Sequence, residues 1–295
     1  MVSSIVGNYL MQRGLLSKEE FEEALAEQQR VRVKLGLIAV AEGIMTKEEA
    51  DSVNSLQSVM DKRFGDIAVE KGYLAEGEVE ALLKKQGNAY LAFAQALENG
   101  KIMGVEQLGL YMEDFRKERQ LTVADMEDIK SDDADRILPL YIPSACKKYI
   151  NPAGTAVRTL LRCVDAEIYP EKAYLAEEVE ADNGAVQCVH GEYDAAIAIS
   201  AKGDGLLKTA SVFGKEEFKE VNEDALDAIG ELLNCINGLH ATALSQSGVF
   251  MDMEPPEYAC HITKMQSSEM LVLPLHIMGR ECNFLISIGD KIRIK

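Results

Sequence analysis

In the stretch DAIGELLNCINGLHATAL, residues 227–244, the residues Asp227, Glu231, Asn234 and Gly238 follow one another at spacings of 4, 3 and 4. Such spacing puts them on one face of an α-helix. Ile229, Leu232, Leu233, Ile236 and Leu239 share an apolar sector on the other side, so the helix is expected to pack on a sheet and turn its acid and amide outward. A carboxylate is a strong hydrogen-bond acceptor. A carboxamide one turn away is neutral at pH 7 and offers both a donor and an acceptor. Gly238 is a mid-helix glycine, which costs about 1 kcal/mol relative to alanine, and a bare spot beside the amide suits the close approach of another surface. The ordinary alternative is a solvated polar face.

Other chemistry is sparse. His240 falls on the apolar side of the same helix and reads as a hydrogen-bonded core histidine. Cys188 with His190, and Cys260 with His261, fall short of the four ligands of a zinc site, and no metal site is expected. The six cysteines form no C-x-x-C pair, and the start MVSSIVGNYLMQRG has no charged leader, so reduced thiols and a cytoplasmic location are expected. No apolar run approaches the roughly 20 residues that span a bilayer. With 49 acidic and 31 basic residues the formal charge is −18, which disfavours nucleic acid and anionic membrane as partners but leaves room for a small anion held by local bases.

The elements that must position these residues divide in two. Three units align at 5–28, 34–57 and 63–86: their first glycines, Gly7, Gly36 and Gly65, are 29 residues apart, Gly14, Gly43 and Gly72 follow each by 7, and Gln28, Gln57 and Gln86 close them. A degraded fourth copy over 93–114 keeps Gly100. Each unit reads as two short helices around a glycine stop, with Ser17/Glu20 and Thr46/Glu49 as capping boxes. One such hairpin cannot bury its apolar face, so neighbours must stack. The polar segment 119–137 reads as a linker. Beyond it, YINPAGTAVRTLL predicts a helix, GAVQCVHGEYDAAIAISAKGDG two strands closed by a Gly203-Asp204-Gly205 turn, and LLKTASVF a further strand. EYACHITKM, EMLVLPLHIM and ECNFLISIG predict more strands, the last two forming a hairpin at Gly279-Arg280. The expected fold class is α+β with two domains: an all-α helical-hairpin repeat domain at 1–118, and at 138–295 an α/β layer domain with long helices on a mainly antiparallel sheet.

The helix DAIGELLNCINGL resembles the signature helix of the CheC/CheX/FliM phosphatase superfamily. YINPAGTAVRTLL resembles that family's first helix and EMLVLPLHIMGRECNFLISI its closing hairpin, so the resemblance spans about 138–290. A single E-x-x-N points to the CheX type. The resemblance implies a protein that binds a phosphorylated CheY-like response regulator and hydrolyses its aspartyl phosphate in chemotaxis signalling. Asn234 would orient the water, Glu231 would pair with a lysine of the regulator, Asp227 and Gly238 would belong to the docking face, and the regulator would bring the Mg²⁺. By analogy with CheX relatives, a homodimer is expected.

The repeats, over about 5–116, resemble the MshEN domain of type II secretion and pilus ATPases, two 24-residue units separated by 5 residues, as here at 34–57 and 63–86. That resemblance implies cyclic di-GMP as a ligand, contacted by Lys34-Leu35-Gly36 and Arg63-Phe64-Gly65, with Gln57 and Gln86 closing the site and Gly43 and Gly72 shaping the units. Ile5 stands at the basic position of the first unit, which is not expected to bind. The repeat kept for stacking alone is the other reading. Two functions are thus open: a phosphatase regulated through its N-terminal domain, or a non-enzymatic adaptor that binds cyclic di-GMP at one end and a regulator, or itself, at the other.

Overall fold

The computed structural model describes every residue except Tyr193, together with all side chains but that of Ser58 in the helices and strands. The chain forms two compact units, Val2–Asp133 and Ala134–Lys295, the latter including Met1. The expected fold class is the one observed.

The first unit is helical: α1 Val2–Gln12, α2 Lys18–Gln28, α3 Leu35–Ala41, α4 Lys47–Met60, α5 Phe64–Glu70, α6 Glu76–Lys84, α7 Ala89–Asn99, α8 Val105–Glu118 and α9 Val123–Lys130. The caps are where the sequence puts them. Ser17 and Thr46 each accept from the backbone N–H three residues on, and Glu20 and Glu49 reach back. The two glycines of each unit answer to different constraints. Gly14, Gly43 and Gly72 stop a helix in the left-handed region, with φ of 67°, 68° and 73°. The earlier glycines permit close packing: a Cβ on Gly7 would fall 2.1 Å from the Phe21 ring, and one on Gly65 2.8 Å from Val79. In the degraded fourth unit the left-handed residue is Lys101, φ 56°, and not Gly100. The first repeat packs with the fourth and the second with the third, and α3 of the second also packs on α7 and α8. The segment 119–137 is mostly helical rather than an open linker: α9 and a short α10, Ala134–Ile137, bury Met126, Ile129 and Ile137. Its scattered apolar residues are too few to stand out in sequence, yet enough to anchor a turn or two.

The second unit opens with α10, two 3₁₀ turns and α11, Ile150–Cys163. Its strands are β1 Tyr169–Pro170, β2 Tyr174–Glu180, β3 Asn183–Gly191, β4 Ala195–Ala201, β5 Met251–Met253, β6 Glu257–Cys260, β7 Lys264–Ile277, β8 Arg280–Ile288 and β9 Arg293–Ile294. Among the described residues they form one antiparallel sheet in the order β1-β7-β8-β4-β3-β5, with β2 and β9 also along β7 and β6 along β3. Tyr193, between the two strands predicted around it, lies outside the described residues. The closing hairpin turns at Met278-Gly279, both with positive φ, so that Ile277 pairs with Arg280. LLKTASVF is not a strand: Leu207–Gly214 forms α12, packed on the long helix α13, Glu223–Ser245. Its apolar residues do not alternate, and its small Thr209 and Ala210 are buried. A core of Val179, Val186, Ala196, Ala198, Met265, Val272 and Leu285 includes Val186 of β3 and the alternate residues Ala196 and Ala198 of β4, with Cys188 packed against it. α13 packs on those same two strands.

Candidate functional site

α13 begins at Asn222, whose side-chain Oδ1 accepts from the Ala225 N–H at 3.0 Å, with Glu223 and Asp224 in the first turn favouring the positive end of the helix dipole. Ile229, Leu232, Leu233 and Ile236 are fully buried. Leu239, expected with them, is exposed, because it lies at the edge of that sector. His240 is buried, and burial lowers its pKa, as a core histidine requires.

On the other face Asp227 and Glu231 are exposed. Asp227 accepts from the Tyr258 hydroxyl at 3.0 Å, and this hydrogen bond, with burial and the acid's charge, raises the tyrosine's pKa. Among the described residues nothing pairs with Glu231. Gly238 is half-buried, and a Cβ built there meets no atom within 4 Å. The space in front of it is open.

Asn234 departs from the expectation of an amide simply turned to water. It is half-buried, and its Oδ1 accepts from Gln187 Nε2 of β3 at 3.0 Å. The same Nε2 donates to the backbone carbonyl of Glu254 at 2.9 Å, and Gln187 Oε1 accepts from Asn237 Nδ2 at 2.8 Å. Nothing among the described residues accepts from Asn234 Nδ2. The amide is held from behind, and its other end is left for a partner. Gln187 and Glu254 had no sequence signal: Gln187 sits 47 residues before the amide it touches, and Glu254, whose carbonyl holds Gln187, 20 residues after it. Gly230 was missed too. A Cβ there would lie 3.2 Å from Pro256, so glycine lets the segment leading into β6 cross α13.

In the helical unit a cavity of about 790 Å³ lies between the second and third repeats. Of the ten residues expected at a nucleotide site, Lys34, Leu35, Gln57, Arg63, Phe64, Gly65 and Gln86 line it. Gly36, Gly43 and Gly72 do not: a Cβ on Gly36 would fall 3.0 Å from the Phe64 ring, and the other two end helices. Arg32 and Asp66 also line it and were not expected. Arg32, Lys34 and Arg63 are exposed, with no ion pair among the described residues. The cavity has an approximate two-fold character. Gln57 Nε2 donates to Lys62 O at 3.4 Å and Gln86 Nε2 to Val33 O at 2.9 Å, each the residue before the other repeat's basic position. Between the first and fourth repeats the Phe21 and Phe93 rings meet edge to face at 6.0 Å instead.

Gly184 to Pro274 encloses most of this second unit's site, including Gln187, Glu231 and Asn234. Residues 184–274 match the family model of the chemotaxis phosphatase CheX. The match includes none of the helical repeats. Solved structures similar to this CheX-like part of the chain include a chemotaxis protein CheX from Desulfovibrio desulfuricans, 17% identical, with a TM-score of 0.42 over 48% of this chain and 99% of that one. CheX from Vibrio vulnificus is 19% identical, TM-score 0.42, over 48% and 99%. The CheX protein of a CheX–CheY–BeF₃–Mg²⁺ complex from Borrelia burgdorferi is 23% identical, TM-score 0.40, over 48% and 97%. Comparison with curated proteins gives no match.

Proposed function

We propose that the second unit is a phosphatase that removes the aspartyl phosphate of a CheY-like receiver domain. The observation that carries this reading is the pairing on α13, one turn apart within the CheX-like region, of exposed Glu231 with Asn234, the Glu231 carboxylate and Asn234 Nδ2 having no partner among the described residues. Phosphoryl transfer through a loose transition state asks mainly for positioning and charge stabilisation. Glu231 docks on a lysine of the receiver, beside open space at Gly238 and with Asp227 at the edge of the contact. Asn234 holds a water in line with the phosphorus. The water oxygen bonds to phosphorus, the P–O bond to the aspartyl carboxylate breaks with its electron pair returning to that carboxylate, and both protons of the water leave with inorganic phosphate. The Mg²⁺ belongs to the receiver, so half of the active site is the partner's. Asn234→Ala is expected to lower stimulated phosphate release about 10²–10³-fold with receiver binding retained; equal rates for variant and parent would contradict the assignment. A cytoplasmic location and a homodimer belong to the same reading; for its part, the described chain has no helix long and apolar enough to cross a membrane.

A second reading concerns the first unit, and the cationic, approximately two-fold cavity favours it. Such a recess fits a small two-fold anion, and cyclic di-GMP is the ligand we infer, with Arg63 and Lys34 facing its phosphates or guanine edges. If the α13 site proves inert, the chain is then an adaptor; if both act, the ligand regulates the phosphatase. Calorimetry of the full chain with cyclic di-GMP is expected to show binding that Arg63→Ala weakens tenfold or more, on the order of 1–3 kcal/mol for one bidentate contact. Heat unchanged by that substitution would remove this site.

A further inference from the structure

Gln187 is nearly fully buried in the middle of β3, and all of its side-chain polar atoms are engaged. The orientation of its amide follows from one fixed group. The Glu254 carbonyl is backbone and can only accept, and its residue is anchored on β3 by the Glu254 N–H donating to Cys188 O at 2.9 Å. The Gln187 end that faces this carbonyl must therefore be Nε2. Its second proton then points at Asn234, whose facing atom must be Oδ1, while Gln187 Oε1 takes a proton from Asn237. Asn237 is itself buried with its Oδ1 unpartnered among the described residues. A buried amide kept at that cost is explained if its task is to hold Gln187.

We propose that Gln187 is the positioning residue of the site: through the Glu254 carbonyl it fixes the polarity of Asn234, so that a pair of N–H donors, and not the carbonyl oxygen, faces the receiver. The proposal rests on the phosphatase reading and deepens it. A donor at one lone pair of the water leaves the other directed at phosphorus. A donor does weaken a nucleophile, but in a loose transition state the bond to the incoming oxygen is little formed, so alignment outweighs basicity. The Asn234 amide is locked in one of its two flips before the partner arrives, which removes a reorientation from the reaction.

The test begins with side-chain amide hydrogen exchange in the ¹⁵N-labelled full chain, the two NH₂ pairs being assigned with Gln187→Met and Asn234→Ala. Both Gln187 protons are expected to be protected, and the Asn234 pair to exchange freely until a beryllofluoride-treated receiver slows it. A protected Asn234 pair beside a freely exchanging Gln187 pair would overturn the proposal. Kinetics supply the second arm. Gln187→Met should lower kcat about tenfold with KM for the receiver nearly unchanged, whereas an unfolded variant would lose both, and its circular dichroism would show it. Asn234→Asp should be as inactive as Asn234→Ala, since its outward atom is an acceptor. Substantial activity in Asn234→Asp would mean that an oxygen faces the receiver, and the proposal would fall. If the parent chain speeds no phosphate loss from any receiver, the phosphatase reading fails, while the exchange pattern still decides how the amide is held.

Discussion

The repeat cavity and the exposed side of α13 offer partners opposite surfaces. Within a chain of net charge −18 the cavity gathers Arg32, Lys34 and Arg63 around a recess of about 790 Å³. α13 instead lines its outer side with Glu223, Asp224, Asp227 and Glu231. The charge of a cationic recess suits a small anion, and that of an acidic helix face suits a basic surface of another macromolecule. The difference also runs to how each is built. The cavity arises because two copies of a repeat face each other without filling the space between them, and where the first copy meets the fourth, Phe21 and Phe93 fill it. The α13 site is supported by groups far apart in the chain, Gln187 and the Glu254 carbonyl.

Substitutions can break or sharpen this contrast. The largest stability effect is expected at the filled repeat pair. Phe93 is fully buried, so Phe93→Ala should destabilise the helical unit by about 3–5 kcal/mol, measured by denaturant unfolding. It should create a void with no cationic lining and no new affinity for cyclic di-GMP; a loss below about 1 kcal/mol would mean that the two repeat pairs differ in more than one aromatic contact. The smallest effects separate the two glycines of α13. Gly238→Ala should stabilise the fold by roughly 0.5–1 kcal/mol, because the alanine meets nothing. Gly230→Ala, pressed on Pro256 and Tyr258, should instead be neutral or destabilising. Equal and opposite results by thermal unfolding would reverse the view of which glycine serves packing and which serves access.

What was legible in the sequence follows the same division. Capping boxes and helix stops could be read because each depends on residues within one unit and the unit recurs every 29 positions; the cavity-lining residues were named through the resemblance of the repeats to a known domain. The apolar positions of α13 up to Ile236 were equally local. Position along a period does not tell how wide a sector is covered, so Leu239, at the edge of the sector, was misplaced although His240 beside it is buried. It also does not reveal cross-chain partners: Tyr258 on Asp227, Gln187 on Asn234 and Pro256 on Gly230 each join segments brought together only by the sheet. α12 and α9 were missed because eight residues with little periodicity resemble a strand or a linker as much as a helix.

The account stands on Asn234 as the group that acts on the receiver's acyl phosphate. Single-turnover decay of a phosphorylated receiver, mixed with a saturating excess of the full chain or its Asn234→Ala variant, separates that step from docking. Fast decay with the parent, and decay at the receiver's own rate with the variant although both bind the beryllofluoride-treated receiver alike, is the expected result. Decay equally fast with Asn234→Ala would contradict it.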